Sequence, residues 1–173
     1  MFDVETSVEV ASELVTLANV KSHLYITHSD DDTYLTALIP VARKQIENYC
    51  AVAIGSQTKI WSFDGCGGCE YRIPYQPVTS VAAEKKTDIN TYTSLTANTD
   101  YEIDGQLHKT FKPFGSGRFR LTYVTGYTTI PEGLKQAILI QVAYLYENRN
   151  EGEKGLCDQA RLTAVNYKDY SWI

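Results

Sequence analysis

The spacing most suggestive of chemistry in this chain is Cys66-Gly67-Gly68-Cys69. Two thiolates three positions apart can chelate zinc or form a redox dithiol. Zinc needs two further ligands, and the sequence offers no second Cys-x-x-Cys and no paired histidines. Cys50, Cys157, His23, His28 and His108 each fall singly. A thioredoxin-like dithiol opens a helix, where the dipole lowers the thiol pKa. This one lies between two strand-like segments, and its glycines are turn residues. The motif therefore reads as a hairpin turn carrying two small cysteines. Cys66 and Cys69 remain the only metal candidates, and weak ones.

The other reactive types assemble no better. No Gly-x-Ser-x-Gly, His-Glu-x-x-His or Walker-type loop accompanies the histidines. Gly115-Ser116-Gly117-Arg118 leads into a strand, whereas a phosphate loop leads into a helix. Asp30, Asp31 and Asp32 lack the spacing of a calcium loop and are accounted for as helix-capping acids. No catalytic residue, bound metal or cofactor is expected.

The elements that would carry these residues run helix, strands, helix. Leu17, Val20 and Leu24 suit a short helix over about 16–26, with Thr16 as its N-cap. After the acidic linker, Leu35, Leu38, Ile39, Ala42, Ile46 and Tyr49 form an apolar stripe on a helix over about 31–52. Arg43, Lys44 and Glu47 fall on its other faces. Pro40 lacks a backbone donor and is expected to kink it. From Gln57 the period becomes two. Ile60 alternates with Trp61 and Phe63, a strand covered on both faces. Cys69 to Tyr75 reads as its hairpin partner, ended by Pro74 and Pro77. Val78 to Lys86 is a further strand, Asp104-Gly105 a turn, and Arg118 to Val124 a strand exposed on one face. A last helix spans about 130–149, capped by Thr129 with Pro131 in its first turn. Leu134, Ala137, Ile138, Val142 and Leu145 are its buried face. A tail of weak periodicity occupies 153–173. Helices flanking a strand block over about 57–125 specify α+β: a small helical bundle with an inserted antiparallel β-rich segment, read as one domain.

Composition narrows the partners. The 173 residues carry a formal charge of -5, and basic residues are adjacent only at Arg43-Lys44 and Lys85-Lys86, so a sequence-specific nucleic-acid grip is disfavoured. No apolar run approaches a membrane span, and acids stand at the N-terminus where a secretion signal carries Lys or Arg. Synthesis in the cytoplasm is expected, with the four cysteines as free thiols. Thirteen tyrosines against five phenylalanines suit a surface that becomes an interface.

A pattern across most of the chain resembles the head-tail connector (neck adaptor, or head completion) proteins of tailed bacteriophages. Val20-Lys21-Ser22-His23-Leu24, the acids Asp30-Asp31-Asp32 and Ile46-Glu47-Asn48-Tyr49 match the opening of that family. Gly126-Tyr127, Pro131-Glu132-Gly133-Leu134-Lys135-Gln136-Ala137-Ile138 and Tyr146-Glu147-Asn148-Arg149 match its second half. The resemblance implies a structural, non-enzymatic virion protein of the neck. It would form a homo-oligomeric ring of about twelve copies beneath the portal, closed by two different patches on each copy. Its partners would be the portal, tail or other neck proteins, and double-stranded DNA passing through the lumen without sequence-specific binding. No membrane partner is implied. The closest alternative is a tail-completion or stopper protein one layer further out, and a more remote one is a small thiol- or metal-binding protein. Tyr167, Tyr170, Trp172 and Ile173 are the candidate interface residues, with Trp172 as anchor.

Overall fold

The computed structural model describes residues 3–10, 13–89, 91–106, 108–149 and 155–169. The chain divides into two compact units, Met1–Ala11 with Ser56–Tyr127, and Ser12–Gly55 with Thr128–Ile173. The first holds the strands and the second the helices, so the architecture is α+β as expected.

In the β unit, a five-stranded antiparallel sheet has the order β1-β2-β8-β4-β5. Its strands are β1 (Asp3–Val8), β2 (Gln57–Gly65), β4 (Val78–Asp88), β5 (Thr91–Ser94) and β8 (Gly117–Thr125). A second sheet has the order β3-β7-β6, from β3 (Tyr71–Arg72), β6 (Tyr101–Asp104) and β7 (Thr110–Pro113). The hairpin expected between β2 and the Cys69–Tyr75 segment does not form. β2 lies between β1 and β8, and the two residues of β3 pair with β7. The physical reason is length and face. β2 and β8 are both nine residues long and stay in register from Gln57↔Thr125 to Gly65↔Gly117, so Trp61 and Phe63 align with Leu121 and Phe119. A segment stopped by Pro74 offers two pairs in exchange.

In β2, β7 and β8 one face is buried. Along β8, Phe119, Leu121 and Tyr123 point inward while Arg118, Arg120 and Thr122 are more open, as the alternation predicts. β2 is buried on one face only: Gln57, Lys59, Trp61 and Phe63 are inside, and Ile60 is half-exposed, correcting the expectation of a strand covered twice. Rings join the two sheets. Phe63 of β2 and Phe119 of β8 meet Phe111 of β7 edge-on at 6.0 and 5.6 Å, and Tyr101 of β6 lies 5.1 Å from Phe111. Each such ring removes roughly 150–250 Å² from water, which makes this cluster the chief cohesive element of the unit.

The helical unit contains α1 (Leu17–Leu24), α2 (Asp32–Cys50), α3 (Glu132–Glu147), α4 (Asp158–Ala164) and a 3-10 turn, Val165–Tyr167. Thr16 caps α1 through a reciprocal box: its hydroxyl accepts from Asn19 N–H, and the Asn19 side chain accepts from Thr16 N–H. α2 runs unbroken through Pro40, and Leu35, Ile39, Ala42, Ile46 and Cys50 form its buried stripe. α3 starts at Glu132 with Pro131 as N-cap, two residues later than a Thr129 cap requires. The Pro131 carbonyl takes the N–H groups of Leu134 and Lys135. Gln141, a polar residue in the α3 stripe, is fully buried. It donates to Gln45 of α2 at 2.7 Å and accepts Cys157 N–H at 2.9 Å.

Candidate functional site

The turn after β2 brings Cys66 and Cys69 to a Cα separation of 5.6 Å, and the structure joins them as a disulfide. The expectation of free thiols is corrected at these two positions. A paired sulfur has no thiolate to offer a metal, so binding through Cys66 and Cys69 would require the bridge to be reduced first. Gly68 allows the closure at φ +80°, and its N–H donates to Pro113 O at 2.7 Å. Cys50 is buried, and burial pushes its thiol up to about 11. Cys157 caps α4, its sulfur accepting Ala160 N–H.

The histidines do not converge. His23 lines a shallow groove between α1 and α3 with Lys135 and Glu132. His28 Nδ1 lies 3.7 Å from Asp30, and His108 Nδ1 is 2.8 Å from Arg72 of β3. Among the described residues no three His, Cys, Asp or Glu side chains gather as a metal site.

What the structure does bring together are residues of the two motif blocks. Lys21 of α1 reaches over the linker, donating to His28 O and to the Asp32 carboxylate, each at 2.7 Å. Asp31 makes no side-chain cap, contrary to expectation. Instead it accepts from Tyr146 OH at 2.6 Å and from Arg149 at 3.0 Å, near the C-terminal end of α3. The Tyr146 hydrogen bond, then that from Arg149, holds the Asp31 carboxyl below its ordinary value. The same contact raises Tyr146. Arg149 is itself stacked, its guanidinium carbon 4.4 Å from the ring centres of both Tyr34 and Tyr146. The acids therefore tie the start of α2 to α1 and α3. Charge partners outcompete capping because two cations and a phenol lie within reach, and each ionised contact is worth more than a neutral cap bond.

A second correction lies on α2. Arg43 and Glu47, expected on open faces, are buried at 3% and 6% exposure. They pair at 2.7 Å; Arg43 also binds Glu13 at 3.0 Å, and Glu47 accepts Ile54 N–H at 2.7 Å. The Asn48-Tyr49 end of the motif is covered too, with Lys168 Nζ 4.7 Å over the Tyr49 ring. Tyr167, a candidate interface residue, is half-buried against α3; a Cβ at Gly133 would come within 2.6 Å of its hydroxyl. Tyr170, Trp172 and Ile173 lie outside the described residues. Tyr34, Arg43 and Tyr71 were missed in the sequence. Only the i, i+4 spacing of Arg43 and Glu47 carried any signal, and it read equally well as a solvated pair.

Fold and motif contacts define an α+β protein whose distinctive polar residues hold helices to one another. The family model described as head completion protein matches residues 13–156, and the chain belongs to that family. The resemblance to phage connector proteins read from the motifs is borne out. A search of curated proteins gave no match. Three solved structures share the fold at 18% identity. The neck of an empty gene transfer agent (GTA) particle computed with C6 symmetry has a TM-score of 0.78, covering 96% of this chain and 95% of its own. The virion of a native GTA particle and the neck of the native particle computed with C12 symmetry each score 0.73. They cover 95% and 96% of this chain, and 94% of theirs.

Proposed function

We propose that this protein is a structural subunit of the neck of a tailed phage or phage-like particle. In this reading its copies form a closed ring beneath the portal, extend the channel for double-stranded DNA, and carry the tail or further neck proteins. Both units act together as one connector domain, and the role is structural and not enzymatic. The observation that carries the reading is the head completion family match over 13–156. Fold-sharing with GTA neck structures of C6 and C12 symmetry supports the ring. The acidic balance supports a lumen through which phosphates slide without being held. A ring of identical subunits joins two unlike patches on each copy, and the tyrosine-rich surface provides material for them.

The test is cryo-EM of particles produced with and without the chain. The expected outcome is a closed ring of this subunit directly against the portal, and DNA-filled heads without tails when it is missing. Density for the chain one layer further out would assign it to a stopper position instead, and its absence from the particle would overturn the reading.

A further inference from the structure

The sulfur pair after β2 has chemistry that a neck scaffold does not use. Cys66, Gly67, Gly68, Cys69 and Glu70 are all exposed. Their support is nevertheless firm. Gly67 lies so close to the next turn that a Cβ there would meet Phe114 O at 2.8 Å, and Gly68 N–H is bonded to Pro113 O. Glu70 adds an ion pair to Lys112 of β7 at 3.6 Å. A solvent-open disulfide thus stands on a turn held from below by backbone.

Its two sulfurs are not equivalent. The Tyr71 hydroxyl oxygen accepts Cys66 N–H at 2.8 Å and lies 3.1 Å from Cys66 Sγ. A disulfide sulfur carries no proton, so in this contact the Tyr71 hydroxyl donates and Cys66 Sγ accepts. The Tyr71 ring is fixed by Phe63, 4.8 Å away between centres. No such donor stands at Cys69 Sγ among the described residues.

We infer that Cys66–Cys69 is a directed thiol-exchange site for low-molecular-weight aliphatic thiols, in which Cys69 is the sulfur attacked and Cys66 the sulfur released. An incoming thiolate RS⁻ bonds to Cys69 Sγ as the Sγ–Sγ bond breaks. The electron pair of that bond departs on Cys66 Sγ, which as a thiolate receives the Tyr71 O–H hydrogen bond. A second RS⁻ then attacks the R-bearing sulfur of the mixed disulfide, forming RSSR and releasing Cys69 as thiolate. The two protein thiolates take up the two protons given by RSH. The protein disulfide is reduced and two thiols are oxidised to one RSSR; run backwards, RSSR closes the turn again. The direction follows because the thiol whose anion is better stabilised leaves faster. The other cysteines do not compete, since Cys50 is buried with a raised thiol and Cys157 holds the first turn of α4.

The experiment uses the full chain with its disulfide closed, treated with reduced glutathione, quenched with N-ethylmaleimide and mapped by peptide mass spectrometry. The expected glutathione adduct is on Cys69 over Cys66 by about tenfold, the ratio a charge-assisted hydrogen bond supports. Tyr71→Phe keeps the ring and removes the hydroxyl, and should bring that ratio near one. In the reduced wild-type chain, alkylation of Cys66 should have a lower pH midpoint than that of Cys69, and Tyr71→Phe should erase the difference. Equal adducts in the wild type, or a preference that survives Tyr71→Phe, overturns the inference. If Tyr71→Phe unfolds the turn, the wild-type midpoints decide alone: coincident values overturn it. All readouts are on the isolated chain, so the outcome is independent of where the protein sits in a particle.

Discussion

At the residue scale, a consequential polar group in the helical unit is Arg43, because it pairs with the buried Glu47 at 2.7 Å and reaches Glu13 at 3.0 Å as well. Two charges taken from water are tolerable only as a pair, and removing one partner costs about 3–5 kcal/mol. Arg43→Met is expected to lower unfolding stability by that amount in urea titration. Arg43→Met with Glu47→Leu, which removes both charges and leaves the Ile54 amide to find another acceptor, should recover a large part of the loss. Asp31 has a different signature. Its carboxyl is held below the ordinary value of 3.8 by the Tyr146 and Arg149 hydrogen bonds. A depressed folded pKa means stability that is full above the ordinary value and lost as pH falls through the folded one. Unfolding curves of the wild type and Asp31→Asn should differ at and above about pH 5 and converge toward the acid end. A gap that is constant with pH would show that Asp31 acts by packing alone.

At the element scale, backbone chemistry at helix ends decides more than propensity within them. α1 ends with Tyr25 in the left-handed region at φ 56°, its N–H and that of Ile26 both bonded to Lys21 O. This is a C-terminal motif that ordinarily takes glycine. Tyr25 is 92% exposed, so its ring contributes almost no packing within the subunit. Tyr25→Gly is therefore expected to stabilise the isolated protein by about 1 kcal/mol, read as a higher denaturant midpoint. A loss of stability would mean that the ring makes contacts within the chain. Among the strands, the β2–β8 pairing shows why local signals misled: a Gly-rich turn after Gly65 invites a hairpin, yet β2 makes nine matched pairs with a distant strand, whereas the strand just after the turn is only two residues long.

At the scale of the whole molecule, each unit is assembled from segments far apart in sequence. β1 completes the sheet from the N-terminus, while α4 and the 3-10 turn complete the helical unit from the C-terminus, where Asp169 N–H bonds Cys50 O at 2.8 Å. The aromatic tail is thus divided. Tyr167 contacts α3 of its own chain, which leaves Tyr170, Trp172 and Ile173 as the candidate interface residues of the tail. Deleting 170–173 is expected to leave the melting temperature within a few degrees of wild type while abolishing attachment to DNA-filled heads in a complementation assay. Truncated protein that still supports tail joining would refute docking by these residues, and one that melts far lower would place them in the subunit's own core.

What the sequence determined by itself was periodic and local. The stripe Leu35, Ile39, Ala42, Ile46, the Thr16 cap and the alternation Phe119, Leu121, Tyr123 each depend on neighbours within about a turn or a pleat, and such signals survive in one dimension. The motif blocks around Val20, Asp31, Glu47 and Tyr146 were legible as a family pattern, yet their purpose was not. Only the tertiary structure decided it, by placing Asp31 against residues 115 and 118 positions away and Arg43 against one 30 positions back. The same holds for the small strands β3, β5 and β7, of four residues or fewer, too short to carry a clear period and defined by their partners. A charge or a hydroxyl has many possible partners in a chain. Which one it takes is settled by what packing leaves within 3 Å, and the apolar core, not the polar residue, makes that choice.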